Sequence, residues 1–128
     1  MSHSHLVRKF VASIAAGLFA ASAFAHPALL SSTPADKSQV AAPAAVELKF
    51  SETLVPQFSA AKLVMTGMPG MANHGAMAVA AGVAGASDGK TMVITPAQPL
   101  QPGTYRVEWR AVSSDTHPVT GSIGFEVK

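Results

Sequence analysis

The chain has 128 residues, of which 48% are hydrophobic and 12% charged, with a formal net charge of +2. That is enough for one domain and short for two. The absence of cysteine excludes a disulfide framework and any thiolate metal site.

In chain order, the first 25 residues read as a leader rather than as fold. Residues 1–9 carry Arg8 and Lys9 and no acid. Residues 10–24 form an apolar run, and Ala23-Phe24-Ala25 has small residues where a signal peptidase requires them. The run is short for a membrane span of roughly 20 residues. The sequence therefore predicts a Sec-type signal over 1–25, cleaved after Ala25, and a domain over 26–128. An uncleaved anchor is the alternative. Arg8 and Lys9 account for the excess of nine basic over seven acidic side chains. Without them the domain is near neutral and has no basic block, which argues against nucleic acid as a partner.

Residues 46–51, Val-Glu-Leu-Lys-Phe-Ser, alternate apolar and polar side chains, as a half-buried strand does. Residues 62–65 continue as a strand. Asp88-Gly89 predicts a hairpin turn into residues 90–94, with Met92 as core. Residues 104–112 place Tyr105, Val107, Trp109 and Ala111 on one face, and Arg106, Glu108 and Arg110 on the other. Residues 123–128 repeat the pattern. No segment after residue 25 sustains a helical period. The fold class expected is all-β, a sandwich or small barrel of about seven strands, of the Greek-key kind.

Between two of these strands lies Met65-Thr66-Gly67-Met68-Pro69-Gly70-Met71-Ala72-Asn73-His74-Gly75-Ala76-Met77. Four methionines and a histidine recur at every third position. Pro69 and three glycines prevent a helix. Exposed thioethers lack the burial that usually accounts for methionine. Thioether sulfur is a soft neutral donor that prefers Cu(I) to harder ions. Met65, Met68, Met71 and Met77 with His74 therefore form a candidate cuprous site. The spacing suits a polyproline-like stretch, although a loop folded around an ion would serve equally. The competing reading is that these side chains cover one end of the sandwich; Met65, continuing a strand, could be core.

Cleavage after Ala25 would make His26 the first residue. A terminal histidine offers its α-amine and imidazole Nδ1 to one ion, and the amine, with a pKa of about 8, gives up its proton readily to a divalent metal. Pro27 has no N–H, so no deprotonated amide can join the chelate there. Further donors stand in Ser113-Ser114-Asp115-Thr116-His117-Pro118. In an extended chain Asp115 and His117 point to the same side. Nitrogens from His26 and His117 and an oxygen from Asp115 suit tetragonal Cu(II). The plainer alternative is that Asp115 caps a turn and His117 lies on the surface.

Taken together, His26-Pro27, residues 31–34 (Ser-Ser-Thr-Pro), Phe50-Ser51-Glu52, Met68-Pro69-Gly70-Met71 and residues 109–118 resemble the CopC copper-resistance proteins of the bacterial periplasm. The resemblance spans essentially all of 26–128. It implies a cupredoxin-like, Ig-like Greek-key β-barrel with one Cu(I) and one Cu(II) site. It adds Glu52 as a further carboxylate near the cupric site. It also implies a role in carrying or buffering periplasmic copper, alongside a CopD-like inner-membrane copper transporter and a multicopper oxidase. One departure is that His74 stands three residues after Met71, where the family often has two.

Two other functions compete with the carrier. A histidine-brace copper oxidase or monooxygenase would also use a terminal histidine, but Asp115 would fill the position that oxygen activation needs open. A metal-free Ig-like adhesion domain would bind neither copper ion.

Overall fold

The computed structural model describes residues 26–71 and 75–128. The expected signal over 1–25 and the candidate ligand His74 lie outside the described residues.

Among the described residues there are nine strands and no helix. They are β1 (Leu29–Thr33), β2 (Ser38–Val40), β3 (Val46–Phe50), β4 (Ala60–Gly67), β5 (Met77–Val79), β6 (Ala81–Gly85), β7 (Thr91–Pro96), β8 (Gly103–Val112) and β9 (Pro118–Val127). They form two sheets, one ordered β1-β3-β7-β6 and the other β2-β9-β8-β4-β5. The pairs are antiparallel except β2 with β9. The all-β sandwich expected from the sequence is what forms. The two strands beyond seven correspond to the three-residue β2 and β5, which are too short to show an alternating pattern.

Period-two patterning decides which side chains enter the core. Val46, Leu48 and Phe50 are buried while Glu47 and Lys49 are exposed. Tyr105, Val107, Trp109 and Ala111 are likewise buried along β8. Phe50 meets Trp109 edge-on across the two sheets, with ring centroids 5.0 Å apart. Trp109 is also Cα partner to Gly121 on β9. A Cβ at Gly121 would stand 2.3 Å from the indole, so the missing side chain makes room for the ring. Met92 is 3% exposed and belongs to the core, as expected.

The hairpin at Asp88-Gly89 also forms, but its loop is longer than two residues. Gly89 N–H donates to Ala86 C=O, and Ala86 pairs with Thr91. Asp88 Oδ1 accepts the N–H groups of Lys90 and Thr91, and Thr91 Oγ1 donates to Oδ2. The carboxylate thus satisfies backbone donors that a two-residue turn would have left to the partner strand.

Strand β8 fixes the long axis. Its first residues pair with the end of β4, Thr104 opposite Gly67 and Tyr105 opposite Met65. Its last residue, Val112, leads into the segment that carries Asp115 and His117. Ten residues at ~3.3 Å each place the methionine segment and the Asp-x-His segment at opposite ends, about 30 Å apart.

Candidate metal centre

At one end, three side chains from distant parts of the chain converge. Among the described residues, His26, Asp115 and His117 form a cluster in which one potential ligand atom of each lies within 4.8 Å of the others. His26 Nδ1 is 2.7 Å from Asp115 Oδ2, and the two imidazole rings are 5.7 Å apart at a tilt of 52°.

The local chain explains each position. Pro27 is fully buried, and Ala28 is held to the end of β3 by two bonds. Ala28 N–H donates to Ser51 Oγ at 2.9 Å, and Ser51 N–H donates to Ala28 C=O at 2.8 Å. These contacts pin His26 beside the β8–β9 connection. The segment after β3 is itself tied to the end of β8. Val55 N–H donates to Val112 C=O, and Val112 N–H donates to Ser59 Oγ.

Asp115 does not sit in an extended strand. It lies in a turn in which Thr116 N–H donates to Ser113 C=O and Thr116 has φ +64°. Asp115 Oδ1 accepts the His117 N–H and the hydroxyl of buried Ser113, each at 3.1 Å. The turn-capping reading of Asp115 is therefore correct for one oxygen. The other, Oδ2, is buried and takes no hydrogen bond of good geometry although His26 Nδ1 is close. A buried carboxylate oxygen is costly unless it is well paired, and a cation bound jointly by this oxygen and the imidazoles would remove that cost. The donor set, two imidazoles and one carboxylate, thus fits a divalent metal. Burial works against the ionised carboxylate, but the His117 N–H, the Ser113 hydroxyl and nearby His26 outweigh it and hold Asp115 below its ordinary value. The carboxylate is ready as a ligand at neutral pH.

Glu52 is half-buried just past β3 and stands outside the cluster formed among the described residues. Ser51 and Ser113 are the positioning groups to which the sequence reading assigned no role. A serine two residues before an aspartate in a turn is the signal that would have found Ser113. Removing its hydroxyl in Ser113→Ala should weaken Cu(II) binding by about tenfold, the lower end for loss of a partner behind a ligand, with the fold retained. Competition against a chelator measures this, and unaltered affinity would deny Ser113 its part.

At the opposite end the methionines pair rather than trail along a polyproline stretch. Met65 on β4 is the Cα partner of Met77 on β5. Met68 and Met71 exchange both backbone bonds around Pro69-Gly70, and Gly70 has φ +78°. Proline followed by a glycine at positive φ closes a tight turn. Each pair holds one half-buried and one open side chain. Met65 and Met68 are half-buried, whereas Met71 and Met77 are 55% and 54% exposed. Met65 also packs against the core, so its two readings, core and ligand, are compatible. Four thioethers thus share one end of the five-stranded sheet.

Comparison with known proteins identifies the family. A family model described as the CopC domain matches residues 29–128. Copper resistance protein C of Pseudomonas syringae pv. tomato is 67% identical over 120 residues, which cover 93% of this chain and 94% of that one. Copper resistance protein C of Escherichia coli is 61% identical over 107 residues, covering 84% of this chain and 85% of its own. The solved structure of PcoC, a methionine-rich copper resistance protein from Escherichia coli, superposes with a TM-score of 0.75 at 59% identity, covering 81% of this chain and 100% of that one. With a matching model over nearly all the described residues and relatives of this identity, the chain belongs to the CopC domain family.

Proposed function

We propose that this protein is a periplasmic copper carrier that binds Cu(II) at His26, Asp115 and His117 and Cu(I) at the methionine end. The observation that carries the reading is the convergence of His26, Asp115 and His117, with the buried Oδ2 of Asp115 only 2.7 Å from His26 Nδ1. Relatives named copper resistance proteins support copper as the cargo. The chemistry of the donors supports two oxidation states. Imidazole and carboxylate favour the cupric ion, and neutral thioethers favour the cuprous ion. Neither set uses a thiolate, so both persist in an oxidising compartment.

In this reading the signal over 1–25 is removed after Ala25, and the His26 amine joins the cupric set. Glu52 stands outside the three-residue cluster and acts from beside it. His74 adds an imidazole to the methionines. Ligands on exposed turns allow exchange with a partner, for which a CopD-like membrane transporter and a multicopper oxidase are the proposed candidates. Asp115 held beside both histidines leaves the cupric ion without the open position that an oxidase or monooxygenase needs, which supports carriage without turnover.

Titration of the protein starting at His26 with Cu(II), and anaerobically with Cu(I), tests this directly. One equivalent of each ion should bind tighter than micromolar. Failure of both would leave the metal-free adhesion domain standing. Ascorbate or polysaccharide oxidation well above that of free copper would favour the enzyme.

A further inference from the structure

The two methionine pairs are built alike. In each, backbone pairing sets a sheltered thioether beside an open one, Met65 with Met77 and Met68 with Met71. The open members are more than half exposed, while Met92 in the core is 3% exposed. Oxidation of a thioether follows its access to oxidant. The exposed sulfurs also contribute little packing, and the bonds that close the Pro69-Gly70 turn are backbone bonds that survive a change of side chain.

We propose that Met71 and Met77 are oxidation sites, and that their conversion to sulfoxide by a peroxide switches off cuprous binding while leaving the fold and the cupric cluster intact. The proposal rests on the reading of the methionine end as the Cu(I) site. In the step, a sulfur lone pair attacks one peroxide oxygen. The S–O bond forms as the O–O bond breaks. Sulfur loses two electrons, and the second oxygen leaves as water after taking the proton. The product no longer offers a thioether. Its exposed donor is a polar oxygen, which Cu(I) disfavours. Methionine sulfoxide reductases return sulfoxide to thioether at the expense of two thiols of a reductant, which end as a disulfide while the oxygen leaves as water, so the switch can be reset. Because the cupric cluster is about 30 Å away at the other end of β8, oxidation shifts the carrier from two oxidation states of copper to one.

The test treats metal-free protein with hydrogen peroxide until two oxygens are added by intact mass, followed by peptide mapping and binding measurements. The expected result is oxygen on Met71 and Met77 and none on Met92. Cu(I) affinity should fall about tenfold or more, as for lost ligation, with Cu(II) affinity and the β-sheet circular dichroism unchanged. Treatment with the reductases should restore Cu(I) binding. Oxidation of Met92 in step with Met71 and Met77 would overturn the proposal, as would unchanged Cu(I) affinity after both are oxidised. Joint loss of both ions would also overturn it, since that signals unfolding. Untreated protein that fails to bind Cu(I) would instead remove the cuprous reading beneath it.

Discussion

A single residue added ahead of His26 is expected to lower Cu(II) affinity about 100-fold or more, beyond the 10–100-fold that follows loss of a partner behind a ligand, while Cu(I) affinity stays as it was. The cause is covalent. Acylating the His26 nitrogen turns an amine that can bind metal into an amide that cannot, and it breaks the chelate ring with Nδ1. The protein has little freedom to compensate. Pro27 is fully buried, and Ala28 is fixed to Ser51 by two hydrogen bonds, so His26 cannot slide to offer another donor. Pro27 also lacks the N–H that copper recruits in ordinary peptide termini. The comparison is between the chain starting at His26 and the same chain extended by one residue, read by the cupric visible spectrum and by chelator competition. An identical spectrum in the two would refute the terminal chelate. On the proposed cleavage after Ala25, the same reasoning predicts that the full 128-residue chain binds Cu(II) weakly.

Replacing Met68 and Met71 together by alanine should produce the reverse pattern. Cu(I) affinity should fall by about two orders of magnitude, since two soft donors are lost at once, and Cu(II) binding should be unaffected. The fold should tolerate the change. Met71 is 55% exposed and Met68 half-buried, so the stability cost should be about 1 kcal/mol or less. The control is Met92→Ala, which deletes a buried side chain and should cost ~2–5 kcal/mol with Cu(I) affinity retained in the folded fraction. Chelator competition under anaerobic conditions and thermal melts separate the two outcomes. Full cuprous affinity in the double variant would take these methionines out of the site.

The alternating strands were legible because burial on one face imposes period two on the side chains. The face of Tyr105, Val107, Trp109 and Ala111 could be named from residues 104–112 alone. Strands β2 and β5 were not legible, since three residues carry no period and they exist by pairing with longer neighbours. β9 begins at Pro118, five residues before the pattern shows, because Gly121 under Trp109 interrupts the apolar alternation. The donors of the candidate cupric cluster were legible as residue types next to an expected cleavage site and in an Asp-x-His run. Their geometry was not. Asp115 and His117 come together through a turn with Thr116 at positive φ, not through an extended chain, and that depends on hydrogen bonds from Ser113 and His117. The regular spacing of the methionines suggested one continuous row. Pro69-Gly70 folds that row back on itself, so spacing in sequence translated into pairing in space.

The rigid ten-residue strand between the two ends has a thermodynamic corollary. Its length exceeds the ~8 Å over which charge is felt at physiological ionic strength several times over, and distant sites without shared partners contribute additively. On the proposed two-site reading, filling one end therefore exerts no cooperativity on the other. The four occupancy states would follow from two separate equilibria, each set by the concentration of its own copper ion relative to its own dissociation constant.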